Sequence, residues 1–248
     1  MSEALGEFLR SRRSRLTPKE VGLPDGRRRR TPGLRREEVA ELAEIGVDWY
    51  VRLEQGRAVR PSPATIEALA RALLLDDTER AHLEALARNG SRAPFEREVV
   101  PDATRRVVEA MTEPAYVTGR RWDLLVCNTA AVELFGDMSG NVLEHLLLDP
   151  AGRTLFGAAW EGQAAHAVAQ FRVAYDLWAP DRAFVDLADR LRRGCPEFEV
   201  WWDGHDVVGG GAGRKVLNGV VHDYATFRVN EDPELRLTVY TAERAGSA

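Results

Sequence analysis

The stretch LRREEVAELAEIGVDWYVRLEQGR, from Leu34 to Arg57, decides how the first part of the chain folds. Apolar residues recur at helical spacing from Val39 to Ala43, and Tyr50 and Leu53 lie three apart after the break Glu44-Ile45-Gly46. Three residues is the length of the turn in a helix-turn-helix, so the pattern predicts two short helices packed against each other. In such a motif the second helix enters the major groove of DNA.

Positive charge borders this stretch at both ends. Residues 1–60 carry 14 Lys plus Arg against 10 Asp plus Glu, and the remainder carries 20 against 29, which together give the net charge of −5. A basic head before an acidic body is associated with nucleic-acid contact. We therefore expect polar and basic side chains to bind phosphates on either side of the groove. These residues are Arg27, Arg28, Arg29, Arg30, Arg35, Arg36, Gln55, Arg57 and Arg60.

Simpler explanations stay open for both features. An ordinary antiparallel helix pair with solvated arginines has the same spacing as a helix-turn-helix. GC-rich coding also produces an arginine-rich chain whose only lysines are Lys19 and Lys215. The run Arg27–Arg30 is either solvated charge or a contact with phosphates or the minor groove.

The bulk composition is that of a globular protein. At 248 residues, two domains are the natural expectation. Cys127 and Cys195 lie too far apart in the sequence for a disulfide framework or a metal site. The sequence has no apolar run of about 18 residues and no secretory leader, so we expect a cytoplasmic protein with no membrane contact.

Turn residues and periodicity divide the chain further. We expect an all-α helix-turn-helix bundle of about five helices in residues 1–88, and a linker in residues 89–100. Residues 101–243 show strands, then helices, then strands, which predicts an α+β domain with an antiparallel sheet, followed by a tail at 244–248. Within it, Arg153–Leu177 is one long helix or two helices broken at Gly162. The last strands are expected at Val216–Val221, Tyr224–Val229 and Leu235–Thr241.

Residues 3–88 resemble the xenobiotic-response-element (XRE) class of helix-turn-helix regulators. The resemblance places base-reading side chains at the start of the second helix, at Val47, Asp48, Trp49 and Arg52. Arg52 is the strongest candidate because its guanidinium can donate two parallel hydrogen bonds to guanine. Trp49 is either a DNA contact or a core residue, whereas Tyr50 is expected in the core.

Two positions depart from the family pattern in the turn. Glu44 stands where a Gly is usual, which argues against a left-handed backbone there, because a Cβ makes that conformation costly. Gly46 replaces the usual Ser before the second helix and remains an acceptable N-cap.

The second half of the chain resembles MmyB-like ligand-binding domains. The stretches AYVTGRRWDLLVCNTAAVELFGD, from Ala115 to Asp137, and CPEFEVWWDGHDV, from Cys195 to Val207, carry the resemblance. It implies a PAS-like fold in which helices and an antiparallel sheet enclose a pocket for a small apolar effector such as a fatty-acyl molecule, with no other cofactor. The segment Lys215–Gly219 departs from the family, which commonly has a His-Pro pair there.

Aromatic residues are abundant in this domain, and they serve pockets as well as cores. Two polar residues, Asn128 and His205, are candidate anchors for a ligand. The full set of candidate ligand-binding residues is Trp122, Asn128, Phe156, Trp160, Trp178, Phe198, Trp201, Trp202, His205 and Tyr224.

Catalytic chemistry is not expected. The glycine-rich run Gly209–Lys215 lacks the Gly-Lys-Ser/Thr ending of a phosphate-binding loop and is expected to be a flexible turn. The cluster Asp203, His205 and Asp206 is expected on a surface loop, although an enzyme stays an alternative, as does a protein-interaction module. One short helix reads few base pairs, so we expect a homodimer on double-stranded DNA.

Overall fold

A computed structural model describes residues 3–24, 33–57, 60–88, 94–178 and 181–242. The chain divides into two compact units. The first contains Met1–Ala93 together with Asp176–Ala179 and Gly204–Val208. The second contains Pro94–Tyr175, Pro180–Asp203 and Gly209–Ala248.

The first unit is helical, as the sequence predicted. Its described residues form five α-helices, which are α1 (Glu3–Arg15), α2 (Arg36–Leu42), α3 (Val47–Glu54), α4 (Pro63–Ala72) and α5 (Asp77–Arg88). A short 3-10 helix, Pro18–Val21, follows α1. The break between α2 and α3 covers residues 43–46, which are the three residues that the sequence indicated and Ala43 before them.

Helix α1 holds α3 in place by close backbone contact. Leu5 and Leu9 of α1 and Tyr50 and Leu53 of α3 are all fully buried. Gly6 lies where the two helices meet, and a Cβ on Gly6 would be 2.3 Å from the carbonyl oxygen of Glu54. Because only a glycine fits there, the sequence of α1 fixes how near α3 can approach.

The second unit combines helices with a sheet, which confirms the predicted α+β class. Its strands are β1 (Ala115–Thr118), β2 (Leu124–Cys127), β3 (Ala212–Leu217), β4 (Val220–Arg228) and β5 (Arg236–Ala242). Its helices are α6 (Asp102–Ala110), α7 (Thr129–Phe135), α8 (Val142–Leu148), α9 (Pro150–Phe156), α10 (Trp160–Trp178, whose last three residues belong to the first unit), α11 (Arg182–Gly194) and α12 (Phe198–Asp203).

The five strands form one antiparallel sheet in the order β2-β1-β5-β4-β3. One face packs aliphatic residues against α6 in a cluster of Val100, Val108, Ala115, Val117, Val126, Val229 and Leu235. The other face carries aromatic residues toward α7 and α9 in a cluster of Tyr116, Ala131, Phe135, Met138, Leu155, Leu217 and Tyr240. Alternation along each strand separates the two faces.

Several element boundaries differ from the sequence prediction. The long helical region is interrupted at Gly157, whose φ is 51°, and not at Gly162, which lies inside α10. The expected turn at His222-Asp223 is continuous strand within β4, because the chain reverses earlier, at Asn218 and Gly219, which both have positive φ. Most of the glycine-rich run is not a turn either, since Ala212–Leu217 forms the edge strand β3.

A polar network fixes the turn between β1 and β2, where the Gly-Arg-Arg-Trp-Asp motif lies. Glu98 is buried and accepts hydrogen bonds from the backbone and side chain of Arg120. Arg121 donates two parallel hydrogen bonds of 2.8 Å to Asp123. Gly119 leaves room for Glu98, because a Cβ there would meet its carboxylate at 2.2 Å. These side chains therefore stabilise the turn.

None of the helices in the described ranges is both long enough and apolar enough to span a membrane.

Candidate DNA-reading helix and effector site

Helix α3 has one buried face and one exposed face. Tyr50, Leu53 and Glu54 lie in the interior of the first unit. Val47, Asp48 and Arg52 are exposed, and Trp49 is partly buried. The predicted base-reading residues therefore share the accessible side of α3, and Tyr50 is a core residue as expected.

A buried carboxylate anchors the end of α3. Glu54 is 1% exposed and accepts a hydrogen bond of 2.7 Å from Nε of Arg13 on α1. It also accepts one from Nε of Arg36 at the start of α2, and the hydroxyl of Tyr50 donates to it at 3.3 Å. Arg13 additionally donates to the carbonyl oxygen of Leu34 at 2.8 Å. One carboxylate of α3 thus connects this helix to α1 and α2 and fixes its direction.

Protonation of Glu54 is disfavoured in the folded state. Burial by itself raises the pKa of this carboxyl, but the hydrogen bonds from Arg13 and Arg36 outweigh burial and the pKa is lowered. Glu54 is therefore ionised at neutral pH, as an ion pair with two guanidinium groups requires.

The turn between α2 and α3 has a left-handed residue in spite of its sequence. Glu44 has a φ of 54°, which corrects the expectation that a side chain there excludes this backbone. The amide of Ile45 donates to the carbonyl of Ala40 at 2.9 Å, and the amide of Glu44 donates to that of Glu41 at 3.1 Å. This pair is the Schellman pattern, which satisfies the last carbonyls of α2 and offsets the cost of the positive φ. Gly46 is the N-cap of α3, as predicted.

The arginines around the motif differ in how they are used. Arg35, Arg57 and Arg60 are exposed, as is Gln55. Arg36 is half-buried and pairs with Glu54, so part of its guanidinium holds the fold. The four arginines Arg27, Arg28, Arg29 and Arg30 lie outside the described residues.

In the second unit, a lysine lies among aromatic rings on one face of the sheet. Nζ of Lys215 on β3 is 4.5 Å from the ring centroid of Tyr224, 5.7 Å from that of Tyr240 and 6.0 Å from that of Phe156. It donates a hydrogen bond to the hydroxyl of Tyr240 at 3.3 Å. That hydroxyl is 3.5 Å from the hydroxyl of Tyr116. We call these five residues the Lys215 cluster.

The rings of this cluster are arranged in a stack. Tyr224 and Tyr240 are directly opposite on β4 and β5, with their planes 27° apart, and the planes of Tyr116 and Tyr240 are 29° apart. Phe135 of α7 meets Tyr240 edge-on at 5.0 Å. Burial among these groups lowers the pKa of Lys215 to about 8, and burial with the nearby charge of Lys215 lowers the pKa of His166. The cluster therefore combines one amine with hydroxyls and flat apolar surface.

The other aromatic candidates form two further groups. Trp160 contacts Trp201 at 5.7 Å, lies under the guanidinium of Arg153 and donates its indole hydrogen to the carbonyl of Leu146. Phe198 is fully buried and stacks on Trp202 at 5.1 Å, and the cation of Arg172 covers Trp202 at 4.5 Å. Tyr175 and Phe171 of α10 pack against the same Trp202. These contacts are those of helix packing.

The predicted polar anchors have other roles. Asn128 is the N-cap of α7, and all four of its hydrogen-bonding positions are engaged. Its oxygen accepts from the amides of Ala115 and Ala131, and its nitrogen donates to the carbonyls of Met111 and Glu113.

Three further candidates are not among the residues of the Lys215 cluster. His205 and Trp178 belong to the first unit, where the carbonyl of His205 accepts a hydrogen bond from Arg12. Trp122 has a φ of 69° in the β1–β2 turn, and its carbonyl accepts from the amide of Val142.

Comparison with known families bears on both units. A model described as the MmyB-like transcription regulator ligand binding domain matches residues 100–248, and one described as a helix-turn-helix domain matches residues 4–83. The chain belongs to the MmyB-like transcription regulators. None of the curated proteins matches it.

This membership assigns a role to each unit of the regulator. The helix-turn-helix domain contains α1 to α4, and with it the exposed face of α3. The ligand-binding domain contains the whole five-stranded sheet and the Lys215 cluster. The protein is therefore a DNA-binding transcription regulator with a separate ligand-binding domain.

Sequence reasoning missed Lys215, Tyr116 and Tyr240 as candidate site residues. Phe156 and Tyr224, which it did select, are brought together around Lys215. One signal was available, because Lys215 is one of two lysines among 34 basic residues. Its neighbours were hidden because they come from four separate elements, Tyr224 and Tyr240 from β4 and β5, Phe156 from α9, and Tyr116 from β1 about a hundred residues earlier. Among the described residues, no group of three or more His, Cys, Asp or Glu side chains is suited to a metal ion.

Proposed function

We propose that the regulator reads operator DNA with the exposed face of α3 in the major groove. The observation that carries this proposal is the exposure of Val47, Asp48 and Arg52 on a helix whose opposite face is fixed by Glu54. A rigidly held helix presents its side chains in one orientation, which base recognition requires.

The chemistry of α3 suggests which bases it reads. Arg52 offers two donors that match O6 and N7 of guanine, and the carboxylate of Asp48 accepts a hydrogen bond from N4 of cytosine. The two residues are four apart, so they lie on the same side of α3 about one turn from each other. We therefore propose an operator half-site that contains G·C pairs at the positions facing Arg52 and Asp48.

Phosphate contacts give the affinity that base contacts alone do not. Arg35, Arg57 and Arg60 are exposed around the motif and are proposed to bind the DNA backbone. Arg27–Arg30 and Gln55 are proposed for the same role from the sequence. One helix reads a short site, so we propose that two copies of the chain bind two half-sites.

The test begins with operator sequences selected from a random duplex pool by the wild-type protein. Arg52→Ala is expected to weaken binding to the selected site by about 1–3 kcal/mol and to relax the preference at one base pair. Arg35→Ala is expected to weaken binding to all sequences alike and to reduce the salt dependence by about one counterion. Arg193→Ala, an exposed arginine of α11, is the control for the loss of one charge. An equal loss on every sequence for Arg52→Ala would refute base reading by this residue.

We also propose that a small molecule bound in the second unit changes the affinity for DNA. The Lys215 cluster supports this proposal because it joins a few polar groups to a broad apolar surface, which small-molecule sites commonly do. The effector must bind the DNA-competent and DNA-incompetent states with different affinity. Native mass spectrometry of the purified protein tests the dimer and the bound small molecule together. A dimer with a small extra mass is expected, and a bare monomer of 27.6 kDa would contradict the dimer.

A further inference from the structure

We propose that the Lys215 cluster is a binding site for a carboxylic acid that carries an aromatic ring. The carboxylate is bound by the ammonium group of Lys215 and the hydroxyl of Tyr240, and the ring lies against the partly exposed rings of Tyr224 and Phe156. This inference rests on the proposed effector function and names the chemical class of the effector.

The positive charge of Lys215 favours an anionic ligand. The ammonium group of Lys215 lies among the rings of Phe156, Tyr224 and Tyr240. Among the residues that the structure describes, no carboxylate lies within ion-pair distance of its Nζ, and burial alone accounts for its lowered pKa. A buried cation without a counter-charge costs free energy that an anionic ligand would recover. At a pKa of about 8 the amine is still mostly protonated at neutral pH, so it can serve as the cation.

The two donors of the cluster, Nζ of Lys215 and the hydroxyl of Tyr240, are spaced to bind a carboxylate. Nζ of Lys215 and the hydroxyl of Tyr240 are 3.3 Å apart. Two polar atoms at this separation can each bind one oxygen of the same carboxylate. The hydroxyl of Tyr116 is 3.5 Å from that of Tyr240 and extends the same polar row.

Aromatic rings lie beside these donors. Tyr224, Tyr240 and Tyr116 lie in a row across three strands, with neighbouring ring planes 27° and 29° apart. Tyr116, Tyr240 and Phe135 are buried, whereas Tyr224 and Phe156 are partly exposed and are the rings that a ligand can contact. Aromatic rings associate by offset stacking and by edge contacts, so a planar ring is a good match for these two side chains.

The experiment uses three aromatic acids, benzoate, 2-naphthoate and indole-3-acetate, each with its uncharged primary amide. Dodecanoate serves as the carboxylate without a ring. Binding to the full-length protein is measured by calorimetry and by the shift of the melting temperature. At least one aromatic acid is expected to bind about 10-fold or more tightly than its own amide, the discrimination that a charge-assisted contact provides, and more tightly than dodecanoate.

Two variants attribute this preference to the site. Lys215→Met keeps the length of the side chain and removes the charge, so it is expected to melt at the same or a higher temperature without ligand and to bind acid and amide equally. Tyr240→Phe removes only a hydroxyl and is expected to weaken the binding of the acid more than the binding of the amide. Lys19→Met changes the other lysine, which is exposed in the first unit, and is the matched control.

The outcomes separate this inference from the proposed function. The inference is overturned if the wild type binds acid and amide equally, or if the preference for the acid survives in Lys215→Met. It is also overturned if dodecanoate binds more tightly than every aromatic acid, or if no aromatic acid binds with a Kd below about 1 mM. DNA affinity is measured in parallel by fluorescence anisotropy. An acid that binds through Lys215 without changing DNA affinity supports the inference and contradicts the effector role.

Discussion

Replacing Glu54 with Gln tests whether one buried carboxylate fixes α3, the candidate DNA-reading helix. The substitution keeps the size of the side chain and removes its charge. Arg13 and Arg36 then face a neutral amide, and the amide nitrogen brings donors toward two guanidinium groups that are donors themselves. We expect the region around α3 to open more easily while the remainder of the fold is retained.

The magnitude follows from the exposure of the two partners. The side chain of Arg13 is 14% exposed, and its bond to the fully buried Glu54 is charge-assisted, so losing it costs about 1.5–3 kcal/mol. The side chain of Arg36 is 42% exposed, and solvent screening limits its share to about 1 kcal/mol or less. The expected loss is therefore about 2–4 kcal/mol, which corresponds to between about 30- and 1000-fold faster hydrogen exchange in α3.

Hydrogen-exchange mass spectrometry of peptides that cover residues 34–57 measures this change directly. Glu67→Gln is the matched control, because Glu67 also pairs with two arginines, Arg71 and Arg80, but lies on the surface. Little change is expected for the control. Equal protection of α3 in the wild type and in Glu54→Gln would refute the argument.

The effect of Glu54→Gln also depends on pH in a defined direction. The pKa of Glu54 is lowered in the folded state from an ordinary value of 4.5, so its stabilisation is complete above about pH 4.5. It is lost as the pH falls from there through the folded pKa. The difference between wild type and variant should therefore shrink in acid, and a difference that is independent of pH contradicts the ionic explanation.

Three other predictions concern backbone and capping positions, each measured as a change in the calorimetric melting temperature. Gly6→Ala is expected to lower the free energy of unfolding by about 1–3 kcal/mol, because its Cβ would clash with the Glu54 carbonyl. Gly162→Ala has open space around it in α10 and should raise that free energy by up to about 1 kcal/mol. Equal effects of the two substitutions would contradict the close packing of α1 on α3. Glu44→Gly is expected to stabilise by roughly 1 kcal/mol because it relieves the left-handed backbone, and a lower melting temperature would argue against that conformation. Asn128→Ala removes four hydrogen bonds and the cap of α7, so a loss of about 2–4 kcal/mol is expected, and a loss below 1 kcal/mol would show that the cap is dispensable.

Local chemistry made much of the fold predictable from sequence. The break between α2 and α3 lies where periodicity and turn residues indicated, and β5 lies within one residue of the predicted strand Leu235–Thr241. The edge strand β3 was missed because its glycines resemble a turn, and only pairing with β4 makes Ala212–Leu217 extended. The break before α10 was misplaced because a glycine permits a break without requiring one, and it is Gly157, not Gly162, that takes the backbone with positive φ.

The candidate site divides in the same way. The exposed residues of α3 could be selected from sequence, because a face of a helix follows from spacing alone. The role of Glu54 could not, since its partners Arg13 and Arg36 approach it only through the packing of three helices.

The sequence by itself determined the order of elements, the helix-turn-helix and the residues that α3 exposes, because these depend on neighbours within about one turn of the chain. Only the tertiary structure decided that Lys215 lies among Phe156, Tyr224 and Tyr240, because strand pairing and helix packing bring residues as far apart as Tyr116 and Tyr240 into contact. A side-chain cluster of this kind is a property of register and burial, which no local pattern contains.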